Sequence, residues 1–419
     1  MKIDSTQFTM VLCCGAMMCL AISTNLPPVF LTTFGETFGG NEGLSGEQLG
    51  RIPAILFMAM VFGIVMTGPL ADRWGAKLFV LSGLGWIILG LGMLGGATNY
   101  ALLLLAVGLM GFGAANLEVV LSPIIAAVRP HRRASALNRL HLFYCVGAVG
   151  TVMVGAAALH AHVSWRLICL IMMTLPILIC CGFVLIRPPA LTQENAPQIP
   201  FSSLIRRPFL YAAALAILLG GATEVGLVQW LPAFAERGLG YSKAVSGTAL
   251  AVFSVAMATG RFVTARIVHH TGIFPILIGS CIASVLLVGI AAFCSIAPIA
   301  LLACVCIGFS VASLWPSTLA VAADHIPRGG ASMFAVLAAT GNIGCVAMPW
   351  LIGFLAERTD LKYGIFATGL CPLILVFIFM GMRYMDKRHQ LYNSPSTMLL
   401  IKIIGACCMT STASDIPCL

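Results

Sequence analysis

The chain has 419 residues, of which 60% are hydrophobic and 9% charged, and its net charge is +9. Soluble domains carry roughly 25% charged residues, so a water-facing exterior cannot be covered and most of the surface must face lipid. The positive balance does not point to nucleic acid, because the basic residues are scattered through short loops without an aromatic-interleaved patch.

A membrane-spanning helix takes about 20 residues. Apolar runs separated by turn residues and charges predict six spans in the first half of the chain, 8–33, 47–70, 78–97, 100–128, 136–160 and 166–186. The second half repeats the pattern at 208–235, 244–268, 274–296, 298–324, 331–356 and 361–384. The first run follows Lys2 without a small-residue cleavage site, and is expected to stay as a span rather than act as a signal peptide. The stretch beginning "RPPALTQENAPQIP" is polar and Pro-rich and reads as a linker over 187–207. The expected fold class is an all-α integral membrane protein, with twelve transmembrane helices in two parallel-repeat six-helix halves. Its domains are an N-terminal bundle over 1–186, the cytoplasmic linker, a C-terminal bundle over 208–384 and a tail over 385–419.

The tail holds "MLLIKIIGACCM", which is too short to span. A disordered cytoplasmic tail is expected; a surface-lying segment, or lipidation of Cys407 and Cys408, are the alternatives. Most of the 16 cysteines sit singly or in pairs inside apolar runs, as at Cys13, Cys14, Cys180, Cys181, Cys304 and Cys306. Without paired CxxC spacing they read as small packing residues, and no metal site or cofactor is expected.

Charge sets the expected sidedness. With both termini cytoplasmic, sixteen Lys and Arg residues fall inside (Lys2, Arg73, Lys77 and Arg129 among them) and six outside, including Arg51, Arg166 and Arg237. That bias favours termini inside a cell (inner) membrane. The halves also echo each other: Gly68 with Gly260, Pro123 with Pro316, and "GAVG" at 147–150 with "GNIG" at 341–344, at offsets of 192, 193 and 194. A six-span offset keeps the same direction through the membrane, so the repeat is parallel.

Between the second and third spans the chain reads "GPLADRWGAK". Its glycines permit close helix approach, and Asp72 and Arg73 can bridge to a neighbouring helix end. It looks like the signature loop of the major facilitator superfamily, the large group of twelve-span secondary transporters. A degraded copy, "GRFVTARIVHHTG", runs from 260 to 272. Gly68, Asp72, Arg73, Gly75, Arg261 and Arg266 are expected to lock and release a conformation without touching solute.

"GAANLEVVLSP" places Glu118 near the middle of the fourth span, in a stretch without a basic residue. A charge there costs a few kcal/mol or more, so the side chain has to face protein, face a water-filled cavity, or carry a proton. Desolvation disfavours a charged carboxylate, which suits Glu118 to proton coupling; a hydrogen bond between helices is the alternative. In "GGATEVGLVQWLPAF", Glu224, Gln229 and Trp230 lie on a helix loosened by Gly220, Gly221 and Pro232. Hydroxyl partners and an aromatic face suit a polyhydroxyl ligand; an interfacial Trp230 and a helix-tying Glu224 are the alternatives. Asn138, His141 and Tyr144 or Cys145 share one face of the fifth span by their spacing, with helix packing as the other reading of His141. Asn25, followed by Pro27 and Pro28, and Asn342 complete the expected cavity-facing set.

"LEVVLSPIIAAVRPHRRASALNRLHLFYCVGA" resembles the span-four-to-five region of the fucose–proton symporter family, and "TEVGLVQWLPAF" is similar to its span-seven pattern. The resemblance implies a proton- or substrate-coupling role for Glu118 and polar substrate positions at His141 and Tyr144. The family's acidic residue in span one is replaced by Pro28, so that sugar contact is missing, and Arg139 stands where an apolar residue is usual. The expected function is proton-coupled alternating access for a sugar or polyol, with Na⁺ as the other candidate ion and a monomer in the lipid bilayer. A proton-driven exporter of a drug-like compound is the alternative. A phosphate-ester antiporter fits less well, because no Arg sits deep in spans one or seven. No nucleophile–base spacing or phosphate loop favours an enzyme, and no soluble output domain favours a sensor.

Overall fold

The computed structural model describes residues 5–128, 133–186, 201–326 and 330–392. The side chains at 5, 69, 72, 126, 133–138, 201, 269, 330–332 and 387–392 lie outside that description. Twelve helices among the described residues are long and apolar enough to cross a membrane. In order they are Thr6–Val29, Gly46–Gly68, Ala76–Gly95, Tyr100–Ile125, Arg139–His160, Trp165–Leu185, Pro208–Gly238, Lys243–Val268, Ile273–Phe293, Ala297–His325, Met333–Arg358 and Leu361–Asp386. They are spans one to twelve below. The expected linker at 187–200 and the tail at 393–419, including Cys407 and Cys408, fall outside the described residues.

Proline accounts for the main departures from the expected spans. A proline lacks the N–H that an interior helix position supplies and crowds the preceding turn. Span one was expected to reach residue 33, but its helix ends at Val29 just after Pro27 and Pro28, and a separate short helix, Leu31–Phe38, follows. Span ten was expected to be continuous. It is two helices, Ala297–Val311 and Leu314–His325, with the break four residues before Pro316. Span seven closes in a π-helical turn, Phe234–Gly238. Phe201–Leu204 is helical inside the stretch expected as linker, and the last helix runs on to Tyr392.

The internal repeat is real, but its register differs from the expected one. Ser45 and Ser242 are the N-caps of spans two and eight, and Gly75 and Gly272 cap the other ends at φ 84° and 77°. Each pair is 197 residues apart (242 − 45 and 272 − 75). Packing follows the same register: a Cβ at Gly111 would meet Leu56 O at 2.1 Å, and one at Gly308 would meet Phe253 O at 2.7 Å. Gly147 and Gly344 are likewise 197 apart (344 − 147), Gly147 pressing on Met18 and Ala21 and Gly344 on Leu218 and Ala222, so spans one and seven are offset by a few residues more (218 − 18 and 222 − 21). The anchors Gly68 with Gly260 and Pro123 with Pro316 are therefore not equivalent positions. Gly260 matches Gly63, since a Cβ at each would meet the equivalent alanine, Ala312 at 2.8 Å and Ala115 at 2.6 Å. Gly and Pro recur often in membrane helices, and sequence spacing alone slipped by about one helical turn.

The two halves of the chain meet on the face opposite the termini. Gly46 and Gly353 bring spans two and eleven into backbone contact, a Cβ at Gly353 meeting Gly46 O at 2.2 Å. Glu357 Oε2 accepts from Ser45 Oγ and from Glu47 N, both at 2.9 Å, so the end of span eleven caps the start of span two. Thr32 Oγ1 donates to Glu236 Oε2 at 2.6 Å, and Lys243 pairs with Glu36. On the termini face Gly68 and Gly75 have open space where close packing was expected.

Helix crossings at bare glycines predict a sharp contrast in stability. Gly111→Val should destabilise by about 1–3 kcal/mol through overpacking, lowering the unfolding midpoint in detergent. Gly85→Val, with open space around Gly85, should leave it unchanged.

Candidate functional site

The middle layer is organised by carbonyls that prolines leave unpaired. Pro28 cannot donate to Thr24 O, and Gln229 Nε2 of span seven crosses to that oxygen at 3.1 Å. Pro316 leaves Ala312 O free, and Arg261 Nε of span eight donates to it at 3.3 Å. In lipid such groups need partners from within the protein, so each freed carbonyl pulls a polar side chain into the centre.

Arg261 is the hub of this layer. Its Nη2 lies 3.3 Å from Glu224 Oε1, and its Nη1 reaches Cys145 Sγ on span five at 3.5 Å, across the two halves. His141 and Tyr144 lie within its electrostatic reach. Arg261, expected within a span as a gating residue, lies in span eight beside Glu224. Its side chain is only 28% exposed, and the carboxylate of Glu224 balances a charge that could not stand alone there. Facing this pair from the first half, Tyr144 Oη bonds Thr24 Oγ1 at 3.2 Å and accepts from Asn25 Nδ2 at 3.4 Å. Asn25 and Tyr144, expected separately as cavity-facing polar residues, thus meet in one cluster.

Glu118 is aimed by its neighbour two residues earlier. Asn116, 2% exposed, accepts from Thr67 Oγ1 at 2.6 Å and donates to Ser82 Oγ at 3.1 Å, turning that face of span four toward spans two and three. Two residues on, a helix has rotated by about 200°, so Glu118 points to the opposite side. Its Oε2 is buried without a hydrogen-bond partner among the described residues, and so is Oε2 of Glu224. Cys345 on span eleven lies within electrostatic reach of both carboxylates. The layer therefore offers two unpartnered acceptor oxygens, one from each half.

A family model described as the Major Facilitator Superfamily matches residues 11–349. The chain belongs to the Major Facilitator Superfamily. Its members move solutes across membranes, so the chain is a transporter and not an enzyme. It is 22% identical to an uncharacterised MFS-type transporter of Yersinia pestis, over 82% of this chain and 88% of that one. It is 25% identical to an MFS-type transporter of Aspergillus niger over 59% of each. Among solved structures, a bacterial homologue of the human lysosomal transporter Spinster, inward-facing and unoccupied, aligns at TM-score 0.73 and 17% identity, covering 91% of this chain and 98% of that one. The nucleoside transporter NupG, as a D323A mutant, aligns at 0.71 and 15% identity over 88% and 99%. The fucose transporter FucP, in its outward conformation, aligns at 0.64 and 18% identity over 90% and 99%. At such identities the likeness is one of fold.

Other expected site residues of this superfamily member stand elsewhere. Trp230 does not offer its face: its Nε1 donates to Pro349 O at 2.9 Å and the ring is 2% exposed. Asn342 turns back to Ala338 O on its own helix at 3.0 Å. Gln229 is spent on Thr24 O in this conformation. The side chains of Asn138 and Asp72 are not among those described. Arg73 is exposed, and Arg266 lies over the Phe262 ring at 4.7 Å. Sequence reasoning missed Asn116, Cys345 and Trp315. "SLWPS" placed a Trp beside a helix-breaking proline in mid-span, and that was the available signal for Trp315.

The pairing of Glu224 with Arg261 predicts strong coupling between them. Glu224→Ala leaves a guanidinium uncompensated and should destabilise toward the lower end of ~3–5 kcal/mol, because part of the pair is exposed. Removing both side chains should recover much of that loss in a double-mutant cycle of unfolding midpoints.

Proposed function

We propose that the chain is a proton-coupled secondary transporter that moves a small neutral polar solute, of the sugar or polyol class, across the cell membrane by alternating access. Glu118 is the coupling group, and the layer around Glu224, Arg261, Tyr144, Asn25 and His141 is the solute site. With both termini cytoplasmic, as the charge bias favours, the closed face is the outer one and the conformation opens inward. The observation that carries this reading is the Oε2 of Glu118, buried in a span without a hydrogen-bond partner among the described residues. An acid so placed is stable when protonated or when a donor reaches it, which is what coupling a proton to a hydroxylated solute requires.

The neutral class follows from charge. Arg261 is matched by Glu224 and further occupied by Cys145 and Ala312, which leaves acceptors rather than cations to greet a ligand. The sugar and nucleoside named for two of the fold neighbours are both hydroxyl-rich, in keeping with this class. Relatives called efflux transporters in Aspergillus flavipes and Phaeosphaeria nodorum match 24% of this chain, and export is the alternative direction.

Uptake of labelled monosaccharides and nucleosides into vesicles under an imposed pH gradient tests the reading. Wild type should accumulate solute. Glu118→Gln should lose accumulation while keeping counterflow exchange, because a fixed neutral side chain that cannot exchange a proton uncouples without blocking the solute site. Equal accumulation by both proteins would remove Glu118 from coupling, and lowered dye content in expressing cells would assign export.

A further inference from the structure

The 197-residue register sets Trp315 of span ten in the place that Glu118 holds in span four (315 − 118). The equivalence extends to the residues two positions before them. Asn116 ties span four to spans two and three; its counterpart Ser313 ties span ten to span nine, Oγ to Oγ of Ser280 at 3.2 Å. Trp315 opens the second helix of span ten, Leu314–His325, just after the break that holds Ser313, and its ring lies against spans seven and eleven. The same register pairs Tyr144 with Gly341 (341 − 144). The side chain absent there makes room for the indole: a Cβ at Gly341 would meet Trp315 Cη2 at 2.3 Å, and one at Gly221 would meet Cζ3 at 2.8 Å. Cys345 Sγ closes on the same bare patch of Gly221 at 3.1 Å, and Cys345 is the residue within electrostatic reach of Glu118 and Glu224. The indole is only partly buried. A slot of two glycines holds its benzo edge, which leaves the rest of the ring for another contact.

We propose that Trp315 is a solute-positioning residue, the aromatic wall against which a ring-bearing hydroxylated solute lies while Glu118 and Glu224 accept its hydroxyl hydrogens. This rests on the transport reading above and narrows its solute class. An aromatic face stacks on a pyranose C–H surface or on a nucleobase, and open-chain polyols offer neither. The role expected of Trp230 passes to Trp315.

The test is transport into vesicles under an imposed pH gradient, with labelled aldohexoses, nucleosides and open-chain hexitols compared in wild type, Trp315→Phe and Trp315→Leu. Wild type should favour ring solutes over hexitols, and preference between sugars and nucleosides assigns the face. Trp315→Leu should raise KM for ring solutes by roughly three- to ten-fold, leaving maximal rate and hexitol transport little changed. Trp315→Phe should restore most of the affinity. The transported ring solute should shift tryptophan emission in wild type and not in Trp315→Phe. An equal rise in KM for hexitols, a fall in maximal rate alone, or an emission shift that survives Trp315→Phe would each make Trp315 a packing residue and overturn the proposal. If no solute of the panel accumulates in wild type, the transport reading fails first and takes this inference with it.

Discussion

A polar group inside a bilayer has to find its partner within the protein, and the middle of this transporter is arranged by that constraint. Prolines in spans one and ten release Thr24 O and Ala312 O, and Gln229 and Arg261 occupy them. Those two contacts draw the second half's polar side chains inward, and Arg261 in turn requires Glu224 beside it. Those two freed carbonyls are thereby answered. The Oε2 atoms of Glu118 and Glu224 stand out because they have no hydrogen-bond partner among the described residues. Such an unsatisfied acceptor is informative, since its cost of roughly 1–3 kcal/mol is retained where a ligand or proton can offset it.

The scaffold under this layer is a duplicated one whose copies have diverged where it matters. Caps, φ-positive glycines and glycine crossings recur at one register, so the two halves keep the same helix geometry. At the centre the equivalent positions differ: Glu118 against Trp315, and Tyr144 against Gly341. Repetition gives two bundles that can rock against each other; divergence gives each wall its own chemistry. The contacts on the face opposite the termini, where Glu357 caps span two and glycines seat span eleven, join the two halves on that side.

The sequence showed the fold clearly because a span is long, apolar and bounded by turns, a signal that survives without any partner. Glu118, Asn25 and Tyr144 were legible for a related reason: polar residues in such runs are costly and must face the interior. What stayed hidden depended on which way a side chain turned. Trp230 reads as a ligand face until Pro349 O is seen to hold its N–H. Arg261 sits in a loop motif's degraded copy, and only the carbonyl released by Pro316 explains its inward turn. The repeat was visible, but its register was not, because glycine and proline are frequent enough to align falsely within one turn.

The central claim is that Glu118 takes up a proton as solute binds. Proton uptake by purified protein in weakly buffered detergent solution, followed with a pH indicator on adding a transported solute, tests it most directly. Wild type should take up protons on binding solute, and Glu118→Gln should bind solute without them. Equal uptake in both proteins, or none in either, would contradict the account.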